Sequence, residues 1–336
     1  MEPIVITGAS GFLGSSFLVQ LLRQSQVARV YLLARRPLGP SDRYLQKLFN
    51  SLEEGERLWA KVRILEGDLS DSVKLSKALA ELALRETQKF RVFHLAAQIS
   101  EKADPAFIRR LNVDATKIIT EWANAHASRM TFISSVAAFG TSRQPLVRTE
   151  ADFEKYDVAF SHSIYFESKR QAHLALIKSS KIGYDIYCPS VIHGRFDNLK
   201  DTRSRLDPYL KKGLSWAPPG GANFVPLQRV LEKLNESLAK DANAPASVEL
   251  VVGANWTFKN YIEIFLKSRG IQRSLKLLPQ GFFRLIETFS AILPASLSSL
   301  LVASRFLYFR SQNEKLSESE LEKMTLQAIQ ESADSR

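Results

Sequence analysis

Tyr165 and Lys169 stand four residues apart in Tyr165-Phe166-Glu167-Ser168-Lys169, a spacing that puts both on one helical face. An ammonium beside a phenol favours the phenolate and lowers a Tyr pKa from its ordinary value of about 10. The phenol can then give or take a proton at neutral pH, an effect worth about 10²–10⁴-fold in rate. A Tyr-x-x-x-Lys pattern alone is common on surface helices. Here Ser134-Ser135 lies at the end of an expected strand, 130–134, thirty residues before the Tyr. Open α/β sheets bind ligands at the carboxyl ends of their strands.

A second constellation is Thr7-Gly8-Ala9-Ser10-Gly11-Phe12-Leu13-Gly14, between an expected strand at 4–6 and an amphipathic stretch carrying Leu13, Phe17, Leu18, Leu21 and Leu22. Glycines spaced G-x-x-G-x-x-G let the backbone turn tightly, approach a pyrophosphate and pack the helix on the sheet. The helix N-terminus then offers unpaired N–H groups to phosphate. The bland alternative is a tight turn, and the strand–helix context argues against it. The next expected strand, 30–34, ends in Arg35-Arg36 with no acid nearby. An acid there would bond a ribose 2′-hydroxyl, whereas Arg accepts a 2′-phosphate, so NADP(H) is expected over NAD(H). Solvated loop arginines are the competing reading.

The elements that must position these groups alternate. Apolar runs at 4–6, 30–34, 62–65, 92–95, 130–134 and 185–188 are separated by helical patterns. Parallel neighbours need crossovers, so the expected fold class is α/β, a Rossmann-like doubly wound parallel sheet. Beyond Gly194 the chain is rich in Pro and Gly, then helical again around 227–240 and 257–269. This predicts a cofactor domain over 1–194, a smaller C-terminal substrate-binding lobe over 195–316, and an amphipathic helix and tail over 317–336. That last helix opens on a Ser317-x-x-Glu320 capping box and carries Leu321, Met324, Ala328 and Ile329.

Composition removes other classes. The chain has 336 residues, 46 Lys+Arg against 35 Asp+Glu (net +11), 45% hydrophobic and 24% charged residues, too apolar for a disordered chain. One cysteine, Cys188, excludes an internal disulfide framework or a Cys-based zinc site and fits a reducing, cytoplasmic setting. No basic n-region precedes an apolar core at the N-terminus, so no signal peptide is apparent. The five histidines lack metal-ligand spacing, and no metal is expected. His94 reads as a core residue, and His162 and His193 as pocket walls. A nucleic-acid partner rests on charge alone and is not expected.

The ordered motifs resemble the extended short-chain dehydrogenase/reductases. They are TGASGFLG at 7–14, Gly67-Asp68-Leu69, His94-Leu95-Ala96-Ala97, Asn112 in Leu-Asn-Val-Asp, and Ser134-Ser135-Val136-Ala137-Ala138-Phe139-Gly140. Tyr165-x-x-x-Lys169 and Pro189-Ser190-Val191-Ile192-His193-Gly194 complete the set, which spans roughly 1–270. By this resemblance Ser135 bonds the substrate carbonyl, Tyr165 protonates it, and Lys169 lowers the Tyr pKa and holds the nicotinamide ribose. Asp68 contacts adenine. Leu69, Leu95, Ala96, Ala97, Pro189, Ser190 and Val191 line the cofactor cleft, and Asn112 either supports a proton relay or caps local backbone. Cys188, where the family often has Arg, and Phe139, where many sugar-nucleotide members have Tyr, depart from the pattern. Many relatives dimerise through the helix carrying the Tyr, which implies a homodimer by analogy.

Within that family three features bear on substrate. The linker between Arg36 and Val62 is long, with Arg43-Tyr44-Leu45 and Leu48 in helical spacing, and looks like the acyl-thioester and fatty acyl-CoA reductase branch. Asp185-Ile186-Tyr187-Cys188-Pro189-Ser190 and Phe224-Val225-Pro226-Leu227 are similar to that branch, although its usual following Asp is Gln228 here. Lys259, Lys267, Arg269, Arg273 and Lys276 face one acid, Glu263, and would suit CoA phosphates or an acidic carrier protein, or form a solvated face. Residues 288–304 carry no charge but fall short of the roughly 20 needed to span a bilayer. They read as a roof over an apolar pocket or as a peripheral membrane contact. The leading expectation is an NADPH-dependent reductase of a carbonyl or acyl thioester of a lipophilic, CoA- or carrier-bound substrate. A hydroxysteroid-like ketone or nucleotide sugar is the rival substrate, and a non-catalytic NADP sensor the rival class.

Overall fold

The computed structural model describes residues 2–42, 45–100, 103–155, 163–195, 206–279, 281–283 and 303–334. Its first half runs β1 (Ile4–Thr7), α1 (Phe12–Leu22), β2 (Val30–Ala34), α2 (Leu52–Trp59), β3 (Val62–Glu66), α3 (Ser72–Ala83), β4 (Phe90–His94), α4 (Pro105–Arg109), a π-helical turn (Arg110–Asp114), α5 (Ala115–His126) and β5 (Ala127–Ile133). After a 3-10 turn (Val136–Phe139) come β6 (Val147–Arg148), α6 (Ile164–Ser179), β7 (Gly183–Pro189), β8 (Val191–His193), β9 (Trp216–Ala217), β10 (Gly221–Pro226) and α7 (Leu227–Ala239). The chain then forms β11 (Ser247–Val251), β12 (Ala254–Thr257), α8 (Phe258–Lys267), β13 (Lys276–Leu277), β14 (Phe306–Phe309) and α9 (Glu318–Asp334).

Seven strands make a Rossmann-like sheet in the order β11-β7-β5-β4-β1-β2-β3. β1 lies between β2 and β4 and pairs in parallel with both; β2 with β3, β4 with β5 and β5 with β7 are also parallel. Every residue of β1 is buried, as expected of a strand covered on both faces. The strands expected at 92–95 and 130–134 begin earlier, at Phe90 and Ala127, and end one residue sooner. Their first residues include Arg91 and Arg129, charges that an apolar pattern excludes. Tertiary partners absorb both. Arg91 donates to Glu2 and to the carbonyls of Ser237 and Lys240.

Arg129, 1% exposed, bonds Asp185 through Nε (2.7 Å) and Nη2 (2.9 Å), and the Ala244, Tyr184 and Pro245 carbonyls take its remaining donors. Ser237, Lys240 and Ser247 also donate to Asp185, each at 2.6 Å. Burial alone would raise that carboxyl; the bonds from Arg129, Lys240, Ser237 and Ser247 outweigh it and hold Asp185 far below the ordinary carboxylate range.

Two compact units are interleaved along the chain. One comprises Met1–Ser134, Ser168–Tyr187 and Leu231–Val248; the other Ser135–Glu167, Cys188–Val230 and Glu249–Arg336. The expected division into 1–194, 195–316 and 317–336 follows sequence order and differs from this one. Within the first unit, residues beyond 194 return to the sheet. Asn235 bonds Gln20 and Gln24, and the Ser237 hydroxyl meets that of Thr131 at 2.6 Å.

In the second unit β10 pairs with β8, β12 and β14. Asn223 ties this sheet together: its Nδ2 donates to Gly253 O and Asn255 Oδ1, and its Oδ1 accepts from Ser190 Oγ and Gly253 N. α9 packs here too, through the Thr325 hydroxyl on Phe224 O. The capping box forms as read: Ser317 N donates to Glu320 Oε2 (2.8 Å) and Glu320 N to Ser317 Oγ (3.3 Å).

The long linker carries its spaced residues only partly within the described structure. Arg43 and Tyr44 lie outside the described residues, and 45–48 form turns in which Gln46 N donates to Asp42 O and Phe49 N to Leu45 O. The helix begins only at Leu52, where Ser51 accepts from Glu54 N and supplies a cap.

Candidate active site

The phosphate loop is built by backbone. Gly8 has φ +78°, a left-handed conformation, and a Cβ there would lie 2.7 Å from Ala96 N. A Cβ on Gly14 would meet Gly8 O at 2.1 Å. Gly11 donates to Gly8 O at 3.0 Å and caps α1 with no side-chain bond, and no acid occupies the first turn. The loop therefore presents an uncapped helix N-terminus, with Ser10 exposed and Phe12 and Leu13 half-buried around it, an arrangement suited to an anion. A Cβ at Gly8 would strike the backbone of Ala96 and one at Gly14 that of Gly8, so glycine there keeps the turn tight; the uncapped helix N-terminus beyond it fits the diphosphate of a dinucleotide.

The two arginines after β2 diverge. Arg36 ion-pairs with Asp42 at 2.6 Å and donates to Pro37 O. Arg35 is exposed and makes no hydrogen bond or ion pair among the described residues. Its charge acts on Asp68, just after β3. Partial burial raises that carboxyl, but the Ser70 hydroxyl and amide, with Arg35 and Lys74, outweigh burial and leave it below its ordinary value. Leu69 is half-buried beside it.

Leu95, Ala96 and Ala97 follow β4, all half-buried. Leu95 N donates to Thr7 O, and Ala96 N to Thr7 Oγ1 at 3.3 Å. The same hydroxyl meets His94 Nδ1 at 2.7 Å, and His94 Nε2 meets Thr116 Oγ1 at 3.0 Å. Thr116 gives its own proton to Asn112 O, so Nε2 donates to Thr116 and Thr7 donates to Nδ1. His94 is thus a neutral core residue, as expected.

Burial first, and the charge of Lys169 second, push its pKa down to about 3. His173 is also pushed to about 3, by burial and then by Arg170 and Lys169. Both values lie below the ordinary 6.5, so unfolded chain binds protons that the fold refuses. Stability is complete above pH 6.5 and falls as pH drops toward 3. Each histidine is expected to remove about 2 kcal/mol between pH 7 and 5. Urea unfolding at the two pH values checks this, and equal midpoints would refute it.

Asn112 lies buried on the π-helical turn. Its Oδ1 accepts from Gln98 N (2.7 Å), and its Nδ2 donates to Gln98 O (3.0 Å) and Ser168 Oγ (2.9 Å). Of its two expected roles, backbone capping is the one these bonds perform. Lys169 is 2% exposed. Its Nζ donates to Ile133 O at 2.8 Å, at the carboxyl end of β5, and lies 5.1 Å from the Phe132 ring centroid. Tyr165 stands one turn earlier on α6, half-buried. Ser134 is buried with its hydroxyl on His173 Nδ1 at 3.2 Å. Ser135 is half-buried, and its Oγ caps the following turn by accepting from Ala137 N at 3.1 Å. That bond uses a lone pair and leaves the hydroxyl proton for another acceptor.

The last motif is more structural than its motif reading implied. Ser190 gives its hydroxyl to Asn223 Oδ1 (2.7 Å) and its amide to Val251 O, next to Pro189 at the end of β7. Val191 is 43% exposed. His193 is buried, its ring centroid 5.7 Å from that of Phe224 and 5.3 Å from that of Tyr261, and is no pocket wall. His162 lies outside the described residues.

The sequence reading missed Thr116, Ser168 and His173. Thr116 and His173 each fall one helical turn after a named residue, Asn112 and Lys169, and that spacing was the available signal.

A family model described as "Male sterility protein", of the NAD-binding class, matches residues 6–209. The chain belongs to the male sterility protein family. It is 31% identical over 153 residues to a D-erythronate dehydrogenase of Cupriavidus necator, spanning 44% of this chain and 43% of that protein. It is 33% identical over 152 residues to a PKS-NRPS hybrid synthetase of Chaetomium globosum, 43% of this chain and 3% of that one. The chain thus spans less than half the length of the curated relatives it matches. The terminal R domain of the myxalamid PKS-NRPS pathway shares the fold at TM-score 0.70 and 18% identity, over 98% of this chain and 90% of that one. Among the described residues no cluster of His, Cys, Asp or Glu could hold a metal ion, and no helix is long and apolar enough to cross a membrane. Residues 284–302, most of the uncharged stretch, lie outside the described residues.

Proposed function

We propose that this male sterility family protein uses NADPH to reduce the carbonyl or acyl thioester of a lipophilic substrate carried on CoA or on a carrier protein. The observation that carries the reading is the Lys169 ammonium, held at the carboxyl end of β5 one helical turn from Tyr165. A dinucleotide with its diphosphate on the backbone cradle of Gly8, Gly11 and Gly14 would supply hydride from its nicotinamide. Ser135 donates its free proton to the substrate oxygen and stabilises the charge that develops there. Tyr165 delivers the proton that completes the alcohol or hemithioacetal, and the charge of Lys169 favours the phenolate left behind. Arg35, which no carboxylate engages in an ion pair among the described residues, receives the 2′-phosphate. The carrier-bound substrate is supported by the family and by the synthetase relative.

Arg35→Ala is expected to weaken NADPH about 10- to 100-fold, the worth of a charge-assisted bond, and to leave NADH within about twofold. Fluorescence titration of both nucleotides checks this; equal losses would refute the cofactor choice. The substrate is tested by NADPH consumption across acyl-CoAs, acyl-carrier thioesters, aldehydes, ketosteroids and nucleotide sugars. Turnover of thioesters supports the reading, and turnover confined to nucleotide sugars overturns it.

A further inference from the structure

We propose that a surface of the second unit, formed by residues 211–216 and 267–277, docks on an anionic lipid surface. Gly213, at φ +68°, turns the chain between Lys212 and Leu214. Lys276 N donates to Ser215 O at 2.8 Å, β9 and β13 pair with Trp216 opposite Lys276, and Arg273 Nη1 donates to Tyr209 O at 2.6 Å. Two stretches about sixty residues apart in sequence are thereby laid side by side.

What they expose combines apolar and basic side chains. Leu214 is 39%, Trp216 43% and Leu277 50% exposed, while Ala217 and Leu275 beside them are buried. The Lys276 ammonium lies 5.8 Å from the Trp216 ring centroid. Among the described residues no carboxylate pairs with Lys212, Lys267 or Lys276. The nearby acids are occupied: Asp207 pairs with Lys211 at 3.0 Å, and Glu263 accepts from Leu275 N at 2.7 Å. An open cleft of about 390 Å³, lined by Glu263, Lys267, Gln272 and Arg273, lies within the same stretch.

An exposed indole with the Lys276 ammonium beside it, two exposed leucines and, on the same two stretches, Lys212 and Lys267, unpaired among the described residues, suit shallow insertion into a headgroup layer. Apolar tips enter, the indole sits at the interface, and lysines meet anionic phosphates. This part of the basic cluster thus acquires a partner independent of the substrate assignment.

The test is sedimentation of the full chain with phosphatidylcholine vesicles, with and without phosphatidylglycerol. Binding is expected only with the anionic lipid and is reversed by half-molar salt. One lysine contributes about fivefold near such a surface, so K212Q/K276Q is expected to bind about 25-fold more weakly. Trp216→Phe removes the blue shift in indole emission on binding. Both variants replace exposed groups, and unchanged melting curves establish that they fold. Absence of sedimentation with anionic vesicles overturns the proposal, as does binding that K212Q/K276Q leaves intact. Binding of an acidic protein at this surface without vesicle binding also overturns it and assigns the patch to a protein partner.

Discussion

Tyr165→Phe is expected to lower kcat for NADPH-dependent reduction by about 10²–10⁴-fold while leaving nucleotide affinity within about twofold. The substitution removes one oxygen and keeps the ring, so α6 and its neighbour Phe166 keep their packing. The loss falls on kcat because proton delivery is needed only as charge develops on the substrate oxygen. Lys169 retains its bond to Ile133 O in the variant, so its position is undisturbed. Single-turnover kinetics with a reducible thioester or aldehyde, beside nucleotide titration, separate the two quantities. Undiminished turnover would remove Tyr165 from the chemistry, and loss of nucleotide binding would make it a structural residue.

The largest expected effect on stability lies elsewhere. Arg129→Met removes one partner of the buried pair and is expected to cost about 3–5 kcal/mol. The reason is the state left behind. Asp185 would stay fully buried, facing Lys240, Ser237 and Ser247 but without its bidentate partner, and three backbone carbonyls would lose their donor. Lys240, 31% exposed, cannot compensate from the rim. Asp185→Asn should cost a comparable amount, because a neutral amide beside a buried guidinium leaves that charge unpaired. The double variant R129M/D185L should recover part of the loss, since an uncharged pair has no stranded ion. Denaturant melts of the three proteins provide the cycle, and losses near zero for either single variant would show that water reaches the pair.

The network also explains why parts of the sheet were hard to read. Arg129 and Asp185 lie within β5 and β7, and Arg91 within β4, where the apolar pattern is interrupted by charge. Their solvation is replaced by partners at Glu2 and in 184–185 and 237–247, distances that no local window covers. β11 was missed for a related reason. Ser247–Val251 is short and half-polar, and its place at the sheet edge next to β7 exists only once the chain has returned from the second unit's segments.

The site divides in the same way. The glycine spacing, the Tyr165–Lys169 spacing and the serine after β5 were legible because each depends on residues within one turn or one junction. Local geometry fixes them before any packing. That Asp42 pairs with Arg36 and not with the adjacent Arg35 was not legible, because the pairing depends on how the following loop folds back. Nor was the work of Asn112, whose amide reaches back to Gln98 and across to Ser168.

By itself, then, the sequence determined the alternation that builds a parallel sheet, the glycine turn on its first junction, and the placing of Tyr165 and Lys169 on one helix. These follow from backbone periodicity and from glycine's missing Cβ, which are properties of short segments. Only the tertiary structure decided where the buried charges find partners, which of two adjacent arginines pairs with Asp42, and which exposed indole Lys276 lies beside. Those outcomes rest on contacts between residues tens to hundreds of positions apart. Burial and pairing are properties of the folded whole.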